Sequence, residues 1–177
     1  MAEDSMELDR IKRYGRALSL FTLGLMWFTP VIVVLLVLWR GPLALVTIPT
    51  GVDVDLAALT FPSGLFIVAV GLLTPVTFLT GFLFLYRLFN LYAQGVVFSE
   101  SNVTAIRRCG YVLMAVDGVR IIQSALTGPA LTALGAVKGY FSVQIGISML
   151  VIGLAIVLIS HVMSLGCKIY ENDRLTI

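Results

Sequence analysis

Polar side chains interrupt an otherwise apolar stretch of the sequence at Asp117, Arg120 and Gln123. Charged side chains are costly in an apolar run of membrane length, so they usually face protein or a polar cavity. Asp117 and Arg120 are three residues apart and would share one face of a helix, where opposite charges can neutralise each other. The one histidine of the chain, His161, lies in the last apolar stretch.

The depths of these residues follow from the helical rise of about 1.5 Å per residue. Counted from the basic residues that end each apolar stretch, Arg120 lies near the bilayer midplane, and His161 lies within about one turn of Asp117 in depth. We therefore expect an intramembrane polar cluster of Asp117, Arg120, Gln123 and His161. Such a cluster can serve as a proton or ion pathway, or as a site for an anionic headgroup or substrate. The alternative is a structural ion pair with a hydrogen-bonded histidine, which the three-residue spacing favours.

The sequence shows no group of residues typical of catalysis. No serine or cysteine nucleophile lies beside a base, and there are neither paired carboxylates nor a glycine-rich phosphate loop. The two cysteines, Cys109 and Cys167, together with one histidine make a poor set of metal ligands. We therefore predict that the protein is not an enzyme and has no catalytic residues, metal or cofactor.

The composition is that of a membrane protein. Of the 177 residues, 59% are hydrophobic and 12% are charged, whereas soluble domains have roughly 45–50% apolar and about 25% charged residues. About 20 apolar residues cross a bilayer, and four stretches are long enough. The predicted fold is a single all-α domain, a four-helix bundle with up-down-up-down order. Its spans cover about 17–39, 62–86, 107–128 and 141–167, between an interfacial segment at 1–16 and a tail at 168–177.

Small residues recur at every seventh position of the last apolar stretch, among them Gly146, Gly153 and Ser160. In lipid, helices pack closely where small residues let their backbones approach. These three residues are therefore predicted to form a helix-packing seam.

The positively charged residues predict the orientation. Nine lie on one side of the predicted bundle, whereas Arg40 and Lys138 lie on the other and Arg120 lies within a span. Since cytoplasmic loops carry an excess of Lys and Arg, both termini are expected in the cytoplasm. The nine are Arg10, Lys12, Arg13, Arg16, Arg87, Arg107, Arg108, Lys168 and Arg174. This distribution is accounted for by topology and gives no indication of nucleic-acid binding.

Two segments carry a family resemblance. The first has Gly95, Phe98-Ser99 and Asn102, followed by Ile106-Arg107-Arg108-x-Gly110, and the second is the tail 170–177 after Gly166. Both resemble the bacterial four-span membrane family catalogued as DUF2975, which has a G-x-x-F-S-x-x-N segment before its third span and an acidic E-N-x-L-T-I-type tail. The third and fourth spans carry the resemblance, whereas residues 1–85 are similar only in layout. It implies a bacterial inner-membrane protein and supplies no activity.

Two classes of function fit these observations. The first is an accessory or regulatory membrane protein whose contact surface is the 98–108 turn and the 168–177 tail. The DUF2975 resemblance implies a regulatory partner, because some members are encoded beside small helix-turn-helix regulators. The second class is a small transporter or channel that uses Asp117, Arg120 and His161. Four spans enclose little space, so a pathway would require a homo-oligomer. The lipid bilayer is the expected surrounding in both cases.

The predicted orientation can be tested by cysteine labelling. A membrane-impermeant reagent added from outside should label a cysteine placed at Asp53 and should miss one placed at Asp173, because the positive residues assign position 53 to the outer side. The reverse labelling pattern would rule this orientation out.

Overall fold

The computed structural model describes residues 2–46, 48, 52, 54–55, 60–96, 99–139 and 141–175. These residues form helices and connecting segments, with no strand in the described ranges. Four helical stretches are long and apolar enough to cross a membrane, and we treat them as the four spans of a multi-pass membrane protein.

Five α-helices make up the spans. The first span is α1, and a short 3-10 helix follows it. The second span consists of α2 and α3, which are separated at Leu72, and the third and fourth spans are α4 and α5. The bounds are α1 Ala2–Arg40, 3-10 helix Pro42–Leu45, α2 Phe61–Gly71, α3 Leu73–Ala93, α4 Glu100–Ala133 and α5 Ser148–Leu175.

The helix bounds differ from the predicted spans in three places. The expected interfacial segment at 1–16 is continuous with the first span, because α1 runs unbroken from Ala2 to Arg40. The second span is divided at Leu72, since Pro75 has no amide hydrogen to donate to the carbonyl of Gly71 four residues earlier. The fourth span begins at Ser148 rather than near residue 141, and residues 141–147 are not helical.

The spans form an antiparallel row in chain order. Helix α1 packs against α3, α3 against α4, and α4 against α5. Within the described ranges α1 contacts neither α4 nor α5, so the bundle is open between its first and last spans. We call the end that holds Gly15, Ala93 and Glu100 the terminal end. The end that holds Arg40 and Ala133 is the loop end.

Small residues form the face of α1 that contacts α3. A Cβ atom at Gly15 would lie 2.5 Å from the backbone nitrogen of Ala93. Ser19 and Thr22 continue this face and are buried. Their hydroxyls donate to carbonyls of their own helix, at Arg16 and Leu18. The face therefore allows close helix contact and leaves neither hydroxyl unsatisfied in lipid.

The end of α3 is fixed by its backbone. Gly95 has a positive φ of 80°, which glycine adopts without the penalty that a Cβ imposes. Its amide donates to the carbonyl of Tyr92, and the amide of Val96 donates to the carbonyl of Leu91. These two bonds are a Schellman motif, which satisfies carbonyls at the end of a helix. The glycine of the G-x-x-F-S-x-x-N segment thus stops α3.

The start of α4 uses two other residues of that segment. The hydroxyl of Ser99 accepts a hydrogen bond from the amide of Asn102, as an N-cap does. The side-chain amide of Asn102 donates to the carbonyl of Val96 at 2.6 Å, which ties the start of α4 to the end of α3. These bonds hold the start of α4 against the end of α3 at the terminal end.

The closest approach of α4 and α5 occurs where two glycines face each other. A Cβ atom at Gly153 would lie 2.6 Å from the carbonyl oxygen of Gly110, and one at Gly110 would lie 2.8 Å from the carbonyl oxygen of Gly153. Contacts this short are with backbone, which cannot move aside as a flexible side chain can. Two glycines thus set the spacing of these helices.

Gly153→Leu should destabilise the protein, because the added side chain forces α4 and α5 apart. Overpacking typically costs about 1–3 kcal/mol. Gly118→Leu is the matched control, since a Cβ atom at this helical glycine would meet nothing within 4 Å. Thermal unfolding in detergent should show a lower Tm for Gly153→Leu alone. Equal Tm values for the two variants would contradict this packing.

Candidate functional site

A polar cavity of about 370 Å³ lies near the loop end, between α1, α3 and α4. The apolar part of its lining includes Val33 and Leu36 of α1, Leu45 of the 3-10 helix and Pro75 of α3. Its polar lining consists of Thr74, Arg120, Gln123, Ser124, Thr127 and Gln144. Four of these six side chains belong to α4 and recur at spacings of one to four residues, so they share one helix face. We call this space the Arg120 cavity.

Gln123 fixes the wall of the Arg120 cavity. Its side-chain oxygen accepts a hydrogen bond from the hydroxyl of Thr74, and its side-chain nitrogen donates to the carbonyl of Leu45 at 2.9 Å. One buried amide thus joins α4, α3 and the 3-10 helix. Thr127 is also buried and donates to the backbone carbonyl of Gln123. Since both polar groups of the Gln123 side chain are hydrogen-bonded, this wall of the cavity is held in a fixed position.

Arg120 supplies the positive charge of the cavity. Its guanidinium carbon lies 5.9 Å from the ring centre of Phe78 on α3. In the described part of the chain no carboxylate forms an ion pair with Arg120. The guanidinium is exposed to the cavity and offers several donors in a planar fork that suits carboxylate or phosphate groups. The arrangement therefore favours an anionic ligand.

The cavity extends from the middle of the second span toward the loop end. Val33 and Leu36 precede the last residue of α1, Arg40, by seven and four residues, which is roughly 6–10 Å along the helix. Arg120 shares the cavity with them, while its guanidinium lies over Phe78, which is 15 residues before the last residue of α3, Ala93.

Asp117 does not enter this cavity. It is buried between α4 and the start of α5, and its carboxylate accepts a hydrogen bond of 2.9 Å from the amide of Leu150. Gly146 lies against the same carboxylate, where a Cβ atom would come within 3.4 Å. The predicted ion pair of Asp117 with Arg120 is not formed between these two described residues, because the first side chain serves α5 and the second faces α3.

The carboxylate of Asp117 serves the first turn of α5. The first amides of any helix lack intrahelical partners, and the dipole of the helix favours negative charge at this position. Leu150 is the third residue of α5, so its amide is one of those groups. The preceding segment is held to α4 as well, because the amide of Gln144 donates to the hydroxyl of Ser124. Asp117 therefore acts as a structural cap for a helix that starts within the depth of the spans.

His161 lies far from the rest of the predicted cluster. It is eleven residues beyond Leu150, which is roughly 16 Å along α5. Its ring nitrogen Nδ1 lies 3.1 Å from the carbonyl of Val157, and the side chain is exposed. The structure thus brings Arg120 and Gln123 together, places Asp117 on another side of α4 and leaves His161 near the terminal end.

The residues of the predicted seam have different positions. Gly153 contacts Gly110, as described above. Ser160 is fully buried and accepts a weak hydrogen bond of 3.4 Å from the guanidinium of Arg107. Gly146 precedes α5 and faces Asp117 instead of a helix seam. Two of the three residues therefore lie where α4 and α5 meet.

An apolar layer separates the Arg120 cavity from the terminal end. The α3–α4 interface below Arg120 holds a pocket of about 200 Å³ whose lining is almost wholly apolar. The lining residues include Phe78, Phe82 and Leu85 of α3 and Val112 and Val116 of α4. No polar side chain of the described residues lines this pocket other than the thiol of Cys109. Toward the terminal end, the polar lining of the Arg120 cavity is thus followed by apolar side chains at the α3–α4 interface, which we call the apolar layer.

Sequence reasoning missed Thr74 and Gln144 as parts of the site. A signal for Gln144 exists in the alternation of residues 141–148, Phe-Ser-Val-Gln-Ile-Gly-Ile-Ser, which is typical of an extended segment and not of a helix. Thr74 carries no comparable signal, since threonines in membrane helices commonly bond their own backbone. In the described part of the chain, no three His, Cys, Asp or Glu side chains are grouped so that they could hold a metal ion.

Comparison with known proteins adds one finding. The family model described as "Protein of unknown function (DUF2975)" matches residues 42–177. No curated protein and no solved structure matches the chain.

The separate roles of Asp117 and Arg120 can be tested by a double-mutant cycle. Asp117→Leu should lower the free energy of unfolding by about 1–3 kcal/mol, because the amide of Leu150 loses its acceptor. Asp117→Asn keeps a side-chain oxygen and should cost less. Because the two side chains have different partners, the loss from Arg120→Gln should add to that from Asp117→Leu within about 0.5 kcal/mol. Recovery of stability in the double mutant would show that they form a pair after all.

Proposed function

The chain belongs to the DUF2975 family of proteins of unknown function, and we propose that it is a non-catalytic accessory or regulatory protein of the bacterial inner membrane. In this proposal it binds a small anionic ligand in the Arg120 cavity and acts through a partner. The partner is a membrane or regulatory protein, or a second copy of the chain. The contact surface proposed for it is the 98–108 turn with the 168–177 tail.

The form of the Arg120 cavity is the observation that carries the proposal. The cavity holds a guanidinium without a carboxylate partner in the described ranges, and the apolar layer lies between the cavity and the terminal end. A charged ligand can form hydrogen bonds in the cavity, whereas it would lose its hydration in the apolar layer. The free-energy cost of that loss is far larger than the stabilisation that one guanidinium provides. Such a cavity favours binding over conduction.

A partner at the terminal end is supported by the architecture there. The end of α3 is held by the Schellman motif at Gly95 and the start of α4 by the cap at Ser99, whereas Phe98 lies outside the described residues. Helix α4 runs from this turn to the Arg120 cavity without a break. A ligand that shifts α4 by interacting with Arg120 would therefore move the turn as well, since a helix transmits displacement along its axis.

The alternative function, a small transporter or channel, is less well supported. Asp117, Arg120 and His161 do not line a common space, and the described residues contain the apolar layer between the cavity and the terminal end. A pathway would have to be completed between copies of the chain. Uptake of the bound anion would distinguish this alternative from binding alone.

Binding in the Arg120 cavity can be tested on the purified chain in detergent. The probes are sodium phosphate and sodium succinate, each compared with sodium chloride at equal ionic strength. A ligand at about 100 times its Kd stabilises the folded state by about 2.7 kcal/mol, so one of the two probes should raise the Tm. Arg120→Gln should abolish the rise, because the guanidinium supplies the charge that holds the anion.

Arg40→Gln is the matched control for this experiment. Arg40 also places its guanidinium over an aromatic ring, at 5.8 Å from the ring centre of Trp39, but it does not line the cavity. The Arg40→Gln variant should show the same rise in Tm with the anion probe as the wild type. If neither probe raises the Tm, or if Arg120→Gln responds like Arg40→Gln, binding at Arg120 is refuted. Uptake of the bound anion into proteoliposomes that requires Arg120 would establish the transporter instead.

A further inference from the structure

A second basic cavity lies at the terminal end, between α3 and α4. Its volume is about 390 Å³. Helix α3 contributes Phe84, Arg87 and Leu91. Helix α4 contributes Glu100, Ser101, Thr104, Ala105 and Arg108. We call it the Arg87–Arg108 cavity. It is separated from the Arg120 cavity by the apolar layer, so the two have no lining residue in common.

Two guanidinium groups of this cavity are held over one aromatic ring. The guanidinium carbon of Arg108 lies 5.7 Å from the ring centre of Phe84, and that of Arg87 lies 6.0 Å from it. Both arginines are exposed, and within the described ranges neither forms an ion pair, although Glu100 lines the same cavity. The two positive charges near this ring repel each other, so an anion bound between them would relieve this electrostatic repulsion.

The remaining lining matches a phosphate ester. Ser101 and Thr104 carry hydroxyls that can donate to phosphate oxygens, and both are exposed to solvent rather than buried in the helix contact. Arginine binds phosphate through two parallel N–H donors, which adds geometric specificity to the charge. Phe84 and Leu91 offer apolar surface beside these polar groups. A ligand with both a phosphate and an apolar body therefore fits better than a free anion.

The position of the cavity in the fold specifies the ligand further. Arg87 lies six residues before Ala93, which contacts α1 at Gly15, so the cavity is within roughly 9 Å of the terminal end of the spans. The positive residues predict that the terminal end faces the cytoplasm, and basic pockets between spans on that side bind lipid headgroups with more than one phosphate. We propose that the Arg87–Arg108 cavity binds the phosphate of an anionic phospholipid, and that a diphosphate lipid of the cardiolipin class binds more tightly than a monophosphate lipid.

The proposal can be tested by native mass spectrometry of the full chain in detergent with added lipid. The probes are cardiolipin, phosphatidylglycerol and phosphatidylcholine of matched acyl chains. Cardiolipin should bind at least tenfold more tightly than phosphatidylcholine, with phosphatidylglycerol between them. Arg87→Gln and Arg108→Gln should each weaken cardiolipin binding about tenfold, because each removes one charge-assisted contact.

Three control variants separate a specific site from general attraction. Arg40→Gln and Lys138→Gln remove one positive charge each outside both basic cavities and should leave cardiolipin binding unchanged. The double variant Arg87→Lys with Arg108→Lys keeps the charge but loses the planar fork, and it should bind less tightly than the wild type. Its folding can be checked by thermal unfolding without lipid.

The outcomes decide between three sources of binding. Equal affinity for the three lipids, or equal losses in all the Arg→Gln variants, would overturn the proposal. Competition by millimolar inorganic phosphate that fully displaces cardiolipin would show that the site takes free phosphate and does not require the lipid. Displacement by neither inorganic phosphate nor glycerol phosphate, with loss in Arg87→Gln and Arg108→Gln, would support the lipid site.

Discussion

The start of α5 within the depth of the spans depends on the carboxylate of Asp117. A helix that begins where water is scarce leaves amide groups without acceptors, and each such group is costly in hydrocarbon. Asp117 accepts from the amide of Leu150 and lies against Gly146, so it both caps α5 and holds the segment that precedes it. Its negative charge is stabilised in return by the positive end of the helix dipole.

This use of Asp117 determines what Arg120 can do. On an isolated helix, the spacing of three residues would let the two side chains neutralise each other. Once the carboxylate is engaged by α5, the guanidinium is left to interact with the ring of Phe78 and with the cavity. Gln123 then keeps the cavity open, because its bonds to Thr74 and Leu45 hold α3 and the 3-10 helix in place beside α4. The exposure of the Arg120 guanidinium to the cavity is thus linked to how α5 begins.

The sequence was sufficient for the helical class and for the number of spans, because apolar length is a strong signal in a chain of this composition. The cap at Ser99 uses a residue type that is typical of helix starts, which is a local signal. The length of the apolar stretch did not predict where α5 begins, because residues 141–147 are as hydrophobic as the residues of a membrane-spanning helix. The partner of Asp117 and the position of His161 both depend on that start and on the register of α5 against α4, where Ser160 lies beside Arg107.

The family segment has a structural explanation that does not reveal an activity. Gly95 ends α3, Ser99 begins α4, and Asn102 ties the two together. Gly110, the last residue of the segment, allows the close approach of α5 at Gly153. The described residues of the family segment therefore account for how α3, α4 and α5 are joined and packed.

Two aromatic rings of α3 mark the limits of the apolar layer between the basic cavities. Phe78 lies under Arg120 and Phe84 lies under Arg108, and six residues separate them, which is roughly 9 Å of helix. An anion held at either end would have to shed its hydration to cross this layer, so exchange of the ligand itself between the cavities is strongly unfavourable. Any coupling between the two cavities would therefore pass through the helices that line both. Because α3 and α4 line both cavities, a ligand that drew these helices together at one end would change their spacing at the other.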